Sequence, residues 1–231
     1  EWLRDLRQRG LETFSELEFP TSRRDNERWK YTNIAPIARS TFEYAFGHNQ
    51  VTLAAIRAVV PWDESWSRLV FIDGHYSELL SDDVTAEGLR ISTAASLSLN
   101  DTNAHLNLNS LANTDDNAFT ALNTAFLRDG AIVELAENVE AVVPIQLIYV
   151  STERNRPYVT HPRTLVLAGH HSKLTILETY VGLSDNPYFT NAVTEVVVGD
   201  GAALQYYRVQ RESQQAFHIH TTQVALAHDS S

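Results

Sequence analysis

The sequence contains no cysteine and no methionine among its 231 residues. Without cysteine the chain cannot form a disulfide, and it offers no thiolate to iron or zinc. Any metal or iron-sulfur cluster held here would need histidine, carboxylate or a cysteine from another protein. The absence of methionine, the initiator included, predicts that the chain is a fragment or that some residues are not represented.

Long apolar runs and an excess of positive charge are also missing. No run approaches the roughly 18 to 20 apolar residues that a membrane-spanning helix needs, and Glu1 to Leu17 mixes charges where a secretory signal would be basic and then apolar. Acidic residues outnumber basic ones by 29 to 18, a net charge of −11, which disfavours binding to a phosphate backbone. We expect a globular protein of the cytoplasm, or of a plastid in a eukaryote, with no membrane or nucleic-acid partner.

Common catalytic motifs are absent from the sequence as well. It has no phosphate-binding loop of the Walker type and no Gly-x-Ser-x-Gly elbow. The paired acids Asp82-Asp83 and Asp115-Asp116 lie beside predicted loops or helix starts, where solvation and capping explain them. The sequence therefore predicts a scaffold rather than an enzyme.

The first half of the chain shows helical and mixed patterns. Apolar residues at steps of three and four predict a helix from Leu3 to Leu17 that ends before Pro20, and a second helix is predicted over Val51 to Val60. Asp73-Gly74 suits a tight turn, which predicts a β-hairpin near residues 68–80. Residues 82–113 are interpreted as a connection, and Asp115 or Asp116 is expected to cap the helix that follows.

From Ala131 onward, short β-rich runs alternate with polar turns. Gly169 and Gly199 are 30 residues apart in matching turns, and His228 follows 29 residues later. Such a period, with three short strands in each repeat, suits a right-handed parallel β-helix whose coils stack their apolar side chains. An antiparallel sandwich or barrel also uses short strands with regular turns, and the pattern alone leaves both open.

The segment from Pro20 to Ile37 fits neither a helical nor a strand pattern, because Trp29 and Tyr31 lie among charged residues without a sustained period. The segment nevertheless resembles a known motif, in the residues Pro20, Thr21, Arg24, Glu27, Trp29, Lys30, Tyr31 and Thr32. Three later blocks continue the resemblance in order and spacing: Asn117 to Leu135, Pro144 to Ser151 and Phe217 to Val224. Together they are similar to the SufD members of the SufB/SufD family, which serve the SUF system of iron-sulfur cluster assembly.

The resemblance implies a fold and a division of the chain. The family core is a parallel β-helix, so the fold class expected is mainly β, with a helical and mixed region at residues 1–115 and the first coils of the β-helix at residues 116–231. The family continues beyond this point with more coils and a helical region that contacts SufC. We therefore expect a chain truncated at its C-terminus, in which SufC binding is lost and something covers the open end of the stack, such as a second copy in a homodimer.

The resemblance also implies partners and a role. SufD-like proteins pair with a SufB-like paralogue and engage the ATPase SufC in a SufBCD complex, where they supply structure and assist iron entry. The chain alone is then expected to bind no cofactor, with iron or an iron-sulfur cluster held by the assembled complex. The motif residues Pro20, Arg24, Glu27, Trp29, Lys30 and Tyr31 are interpreted as structural, with Trp29 and Tyr31 fastening the N-terminal helical region to the neighbouring fold.

Histidines offer the alternative hypothesis. His218 and His220 lie two residues apart on a predicted strand, so both project to one side and are candidate metal ligands, with Thr222 beside them. A His-x-His pair on short strands also resembles a cupin metal site, which would imply a metal-dependent enzyme. Thr221 to Ala227 lacks the acid that a cupin site needs, and the cupin hypothesis leaves the segment from Pro20 to Ile37 unexplained.

Overall fold

The computed structural model describes residues 2–20, 27–97 and 101–231. Five α-helices lie in this part of the chain: α1 (Trp2–Leu17), α2 (Ala35–Arg39), α3 (Leu53–Arg57), α4 (Thr102–Asn107) and α5 (Ala118–Ala125). None of the described helices is both long enough and apolar enough to cross a membrane.

Most of the described strands belong to two parallel sheets that stack into a solenoid of about three turns. The first sheet contains β1 (Glu43–Tyr44), β4 (Leu89–Thr93), β5 (Ala131–Leu135), β7 (Tyr158–Thr160), β8 (Arg163–Ala168), β10 (Tyr188–Val198) and β12 (Phe217–Leu226). The second contains β2 (Ser67–Ile72), β3 (His75–Tyr76), β6 (Ile145–Ser151), β9 (Lys173–Gly182) and β11 (Ala203–Arg211). The prediction of a parallel β-helix core is confirmed, and the sandwich and barrel alternatives are wrong because the pairing between coils is parallel.

The repeat of about 30 residues is visible in the strand register. Val193 on β10 pairs with Arg163 on β8, and Ala203 on β11 pairs with Lys173 on β9. The coil at residues 145–168 has the three short strands expected, β6, β7 and β8, and β7 and β8 both pair with β10. The later coils have two long strands each, β9 with β10 and β11 with β12, so the expectation is wrong for them. Their strands of 9 to 11 residues cross the full width of the coil.

Glycine keeps the coils close together at one corner of the solenoid. A Cβ atom on Gly169 would lie 2.6 Å from the backbone nitrogen of Glu137, and one on Gly199 would lie 2.9 Å from that of His170. Both residues pack against the backbone of the preceding coil. The matching turns in the sequence therefore mark the positions where backbones touch.

One end of the solenoid is capped by antiparallel strands. β3 pairs antiparallel with β2 across the turn at Asp73 and Gly74, which have φ angles of 51° and 85°, and this confirms the predicted hairpin. β4 pairs antiparallel with β5 in the other sheet. At the opposite end, β11 and β12 each carry one edge with no strand partner among the described residues.

The helical layer covers the outer face of the first sheet. Helix α1 confirms the predicted apolar face and packs against α5, while Leu6 and Ala104 join Leu165 and Leu167 in one apolar cluster. Helix α3 is shorter than the predicted helix over Val51 to Val60, because its chain leaves helical geometry in a turn before Pro61. The interpretation of residues 82–113 as a connection was incomplete, since this segment contains β4 and α4.

Helix α5 begins at a different cap from the one predicted. Asn117, rather than Asp115 or Asp116, accepts hydrogen bonds from the backbone N–H groups of Phe119 and Thr120 at 3.1 and 3.2 Å. Six of its eight residues are buried, because the helix lies between α1 and the first sheet. An asparagine cap uses an uncharged side chain and so adds no acid to this enclosed position.

The close approach of α1 and α5 predicts the effect of a single methyl group. Gly10→Ala places a Cβ atom 2.7 Å from the backbone nitrogen of Ala125 and 2.9 Å from the carbonyl oxygen of Ala121. Alanine favours a helix over glycine by about 1 kcal/mol, but the overlap is with backbone. We expect a net loss of about 1–3 kcal/mol in the free energy of unfolding. Urea unfolding measures it, and Arg9→Ala on the exposed face of α1 is the control; a stabilised Gly10→Ala variant would contradict the prediction.

Candidate functional site

The motif residues of the N-terminal segment are divided between the interior and the surface. Trp29 lies 5.1 Å from Phe119 between ring centroids and belongs to an apolar cluster with Ile34, Ile37 and Phe189. Tyr31 is 89% exposed, so the expectation that it fastens the region to the fold is not met. Among the described residues, its ring has one cation contact, with the ammonium group of Lys30, which is 5.3 Å from the ring centroid.

The remaining motif residues lie near the surface or outside the described part of the chain. Glu27 begins a 3₁₀ turn that ends at Trp29. Its carboxylate forms an ion pair with Lys30 at 3.1 Å, and the side chains of Glu27 and Lys30 are both well exposed. Pro20 follows α1 in a partly buried position. Thr21 and Arg24 lie outside the described residues. Pro20, Glu27, Trp29, Lys30 and Tyr31, the described members of the motif, do not gather around a common point.

A buried carboxylate forms the centre of the polar site inside the solenoid. Glu178 on β9 is fully buried. Its Oε1 atom accepts hydrogen bonds from Thr164, Tyr180 and Thr194 at 2.8, 3.0 and 3.1 Å. Its Oε2 atom accepts from the Tyr206 hydroxyl and from Arg208 Nε.

The donors to Glu178 come from three successive coils, on β8, on β9 and β10, and on β11. A buried charge is tolerated when its polar atoms are hydrogen-bonded, and both oxygens of Glu178 accept hydrogen bonds. Burial and the negative charge of Glu178 raise the pKa of Tyr180 and Tyr206. Both tyrosines are therefore hydrogen-bond donors at neutral pH.

Sequence reasoning missed Glu178, although a signal for it exists. The side chains of Leu174, Ile176 and Tyr180 alternate into the core from β9, and Glu178 is in the same phase. A single acid at an inward position of an apolar strand predicts a buried polar contact.

The candidate metal ligands lie at the edge of this site. His218 and His220 project to the same side of β12, as predicted, with ring centroids 5.6 Å apart. His218 Nδ1 lies 2.6 Å from Glu212 Oε2, and His220 Nε2 lies 2.9 Å from the hydroxyl of Thr194. Thr222 is not available as a ligand, because its hydroxyl accepts a hydrogen bond from Arg208 at 2.6 Å.

The hydrogen bonds assign a tautomer to each imidazole. A carboxylate only accepts, so His218 carries its proton on Nδ1. The Thr194 hydroxyl donates to Glu178 and therefore accepts from His220 Nε2. The remaining ring nitrogens, His218 Nε2 and His220 Nδ1, are buried and have no hydrogen-bond partner among the described residues.

The chemistry of the pair is limited by the number of donors. Among residues 2–20, 27–97 and 101–231, no group of three or more His, Asp or Glu side chains is arranged to hold a metal ion. A metal bound by the two histidines would need further ligands from water or another molecule. The cupin hypothesis is wrong for the fold, because cupins are antiparallel jelly rolls and β12 pairs with β10 in parallel.

Burial of His220 predicts a pH-dependent loss of stability. Burial, outweighing attraction to Glu178, lowers the pKa of His220 to about 4, whereas the unfolded side chain titrates near about 6.5. Between these pH values the unfolded state binds more protons than the folded state. The stability that neutral His220 contributes is therefore fully present above about pH 6.5 and is lost as the pH falls toward 4.

Comparison of variants isolates this contribution from other titrations. His220→Gln keeps a hydrogen-bond donor for Thr194 but has no titrating ring. Between about pH 7 and pH 5, the free energy of unfolding should therefore fall by about 2 kcal/mol less in this variant than in the wild type. Urea unfolding at the two pH values measures it. Identical pH dependence in the wild type and the variant would show that His220 contributes nothing.

Comparison with known proteins identifies the family along the whole chain. A model described as the SufBD protein N-terminal region matches residues 1–147, and one described as the SUF system FeS cluster assembly SufBD core domain matches residues 149–231. An iron-sulfur cluster assembly SufBD family protein of Synechocystis is 29% identical over 97% of this chain and 51% of its own length. The SufD protein of Escherichia coli is 24% identical over 97% of this chain and 50% of its own length.

A third relative comes from a plant. The Arabidopsis thaliana protein named ABCI7, chloroplastic, is 33% identical over 45% of this chain and 23% of its own length. The chain thus spans about half the length of the first two relatives, which it matches almost from end to end. With both family models matched in order on a β-solenoid preceded by a mixed helical region, this chain is a member of the SufBD family of the SUF system for iron-sulfur cluster assembly.

Proposed function

We propose that this protein is a non-catalytic, SufD-like scaffold subunit that pairs with a SufB-like paralogue and, in the same complex, with a SufC-like ATPase. The N-terminal motif with Trp29, Lys30 and Tyr31 is closer to SufD than to SufB, and a relative named SufD matches nearly the whole chain. ATP hydrolysis is assigned to the SufC-like partner. A cytoplasmic location, or a plastid in a eukaryote, is consistent with the chloroplastic relative.

The two family models, matched in order along the chain, are the observation that carries the proposal. Both describe SufBD proteins, and the second is named for iron-sulfur cluster assembly by the SUF system. The parallel pairing of β8, β10 and β12 and of β6, β9 and β11 supports this role, because stacked coils form a rigid body on which other subunits can assemble.

Pairing with a SufB-like protein would join two β-helices into one scaffold. Iron or a nascent cluster is the cargo of such a complex.

Co-purification tests this assembly. The tagged chain, co-expressed with the SufB-like and SufC-like proteins of the same genome, should retain the SufB-like protein, and ATPase activity should depend on the SufC-like protein. Co-expression of the same proteins with the chain left untagged is the control for non-specific retention.

Two results would contradict the scaffold assignment. One is ATP hydrolysis by the purified chain alone. The other is a failure to retain the SufB-like protein under conditions in which the chain is folded by circular dichroism.

The histidine pair supports a second role, in assisting iron entry. His218 and His220 each have one ring nitrogen without a hydrogen-bond partner among the described residues. Each ring is oriented through its other nitrogen by a carboxylate or hydroxyl, an arrangement typical of metal-binding histidines. Two imidazoles that share one metal at about 2 Å from each nitrogen have ring centroids roughly 5 Å apart, close to the 5.6 Å found here. We propose that this pair binds a divalent metal whose remaining ligands are water or groups of a partner.

Metal titration tests the pair. Calorimetry with ferrous or manganese ions under anaerobic conditions should detect one site per chain, and the His218→Ala/His220→Ala double variant should abolish it. The control is His170→Ala/His171→Ala, which removes two exposed histidines from a turn. Absence of binding, or equal loss in both double variants, would show that the pair is not a metal site.

A further inference from the structure

An aromatic surface patch with two unpaired cations lies beside the helical layer. It consists of Tyr44, Phe46, Phe126, Arg7 and Arg128, and we refer to these five residues as the aromatic patch. Tyr44 stacks on Phe126 at 5.5 Å and meets Phe46 at 4.9 Å in a near-perpendicular contact. Arg128 lies over both Tyr44 and Phe46, 5.3 Å from each ring centroid.

The patch is exposed and preorganised. Phe46 is 70% exposed and Phe126 37%, which is unusual for two large aromatic side chains in contact with one ring. Beneath them, the buried ring of His161 stacks on Phe126 at 5.1 Å and lies parallel to Tyr44. The rings therefore have a fixed support, and a bound molecule would order few side chains on binding.

The cations of the patch have no acidic partner among the described residues. Neither Arg7 nor Arg128 forms an ion pair there, and Arg7 Nε is buried without a hydrogen-bond acceptor. Both guanidinium groups lower the pKa of Tyr44, against the larger effect of burial, which raises it. Both positive charges are therefore near this ring.

The two acids nearest the patch are already engaged. Asp129 accepts hydrogen bonds from the backbone N–H groups of Tyr76, Ala95 and Gly130. Glu43 pairs with Arg156 at 2.6 Å. The patch is thus locally cationic on a chain whose net charge is −11.

We infer that the aromatic patch docks an acidic polypeptide segment that also carries an apolar or aromatic side chain. Arginine and aromatic residues are the types that dominate binding energy in protein interfaces. Unpaired guanidinium groups gain charge-assisted hydrogen bonds from carboxylates, and the exposed rings of Phe46 and Phe126 accept an apolar side chain. A nucleic acid fits less well, because two cations do not offset the repulsion of a phosphate backbone by the whole chain.

Fluorescence anisotropy tests the inference with defined probes. The first is a short labelled peptide of glutamate with leucine and tryptophan, the second is the same peptide with lysine in place of glutamate, and the third is labelled oligothymidine. The glutamate peptide should bind, and binding should weaken with added salt. Phe46→Ala and Arg128→Glu should each weaken it by about tenfold or more.

Matched variants separate the patch from general effects. Arg57→Glu makes the same change in charge on α3, which packs against the other sheet, and Leu79→Ala removes an apolar side chain that is 93% exposed. Neither should alter binding. Phe46 is a surface residue, so Phe46→Ala should keep the thermal stability of the parent, and it remains informative if Arg128→Glu fails to fold.

Several results would overturn the inference. The first is that the glutamate peptide does not bind. The second is that Arg57→Glu weakens its binding as much as Arg128→Glu does. The third is that oligothymidine or the lysine peptide binds at the patch more tightly than the glutamate peptide. A Phe46→Ala variant that changes only the oligomeric state in light scattering would instead assign the patch to a second copy of the chain, and the inference would be wrong.

Discussion

The parallel, in-register stacking of coils is the constraint on which the rest of this structure depends. A repeat of about 30 residues places Val193 over Arg163 and Ala203 over Lys173, so each inward side chain lies over its counterpart in the coil below. This stacking produces columns of apolar side chains that run from coil to coil, such as the column of Val166, Val196 and Val224. Because neighbouring coils share every column, a polar residue in one coil must find its partners in the coils on either side.

Two buried glutamates show how this constraint is met on the two faces of the solenoid wall. Inside, Glu178 accepts hydrogen bonds from three successive coils. Outside, Glu195 pairs with Arg163 at 2.5 Å and accepts from the backbone N–H groups of Asn109, Leu111 and Ala112. Removing one member of such a buried pair leaves an uncompensated charge and costs about 3–5 kcal/mol. The interior glutamate thus joins coils to each other, and the exterior one joins the helical connection to the coils.

The parts of the fold that follow local patterns could be predicted from the sequence, and the parts set by distant contacts could not. Helix α1, the hairpin at Asp73-Gly74 and the repeat marked by Gly169 and Gly199 each have a local signal. The cap at Asn117 lies one residue from the predicted Asp116, because burial between α1 and the sheet disfavours a charge there. The Glu178 site joins this residue to partners up to 30 positions away in the chain, and only the stacked register brings them together.

The antiparallel strands β3 and β4 mark the end of the solenoid at which the parallel pattern stops. They interrupt the pairing there, so the first coil offers no regular template for further stacking. Each later coil instead repeats the parallel register of the coil before it, as β12 does on β10 and β11 does on β9. His218 and His220 lie in this regular part, in the same phase of β12 as Val224. The position of the two imidazoles is therefore set by the register between coils, and the donors around them come from β10 and from the residues that follow β11.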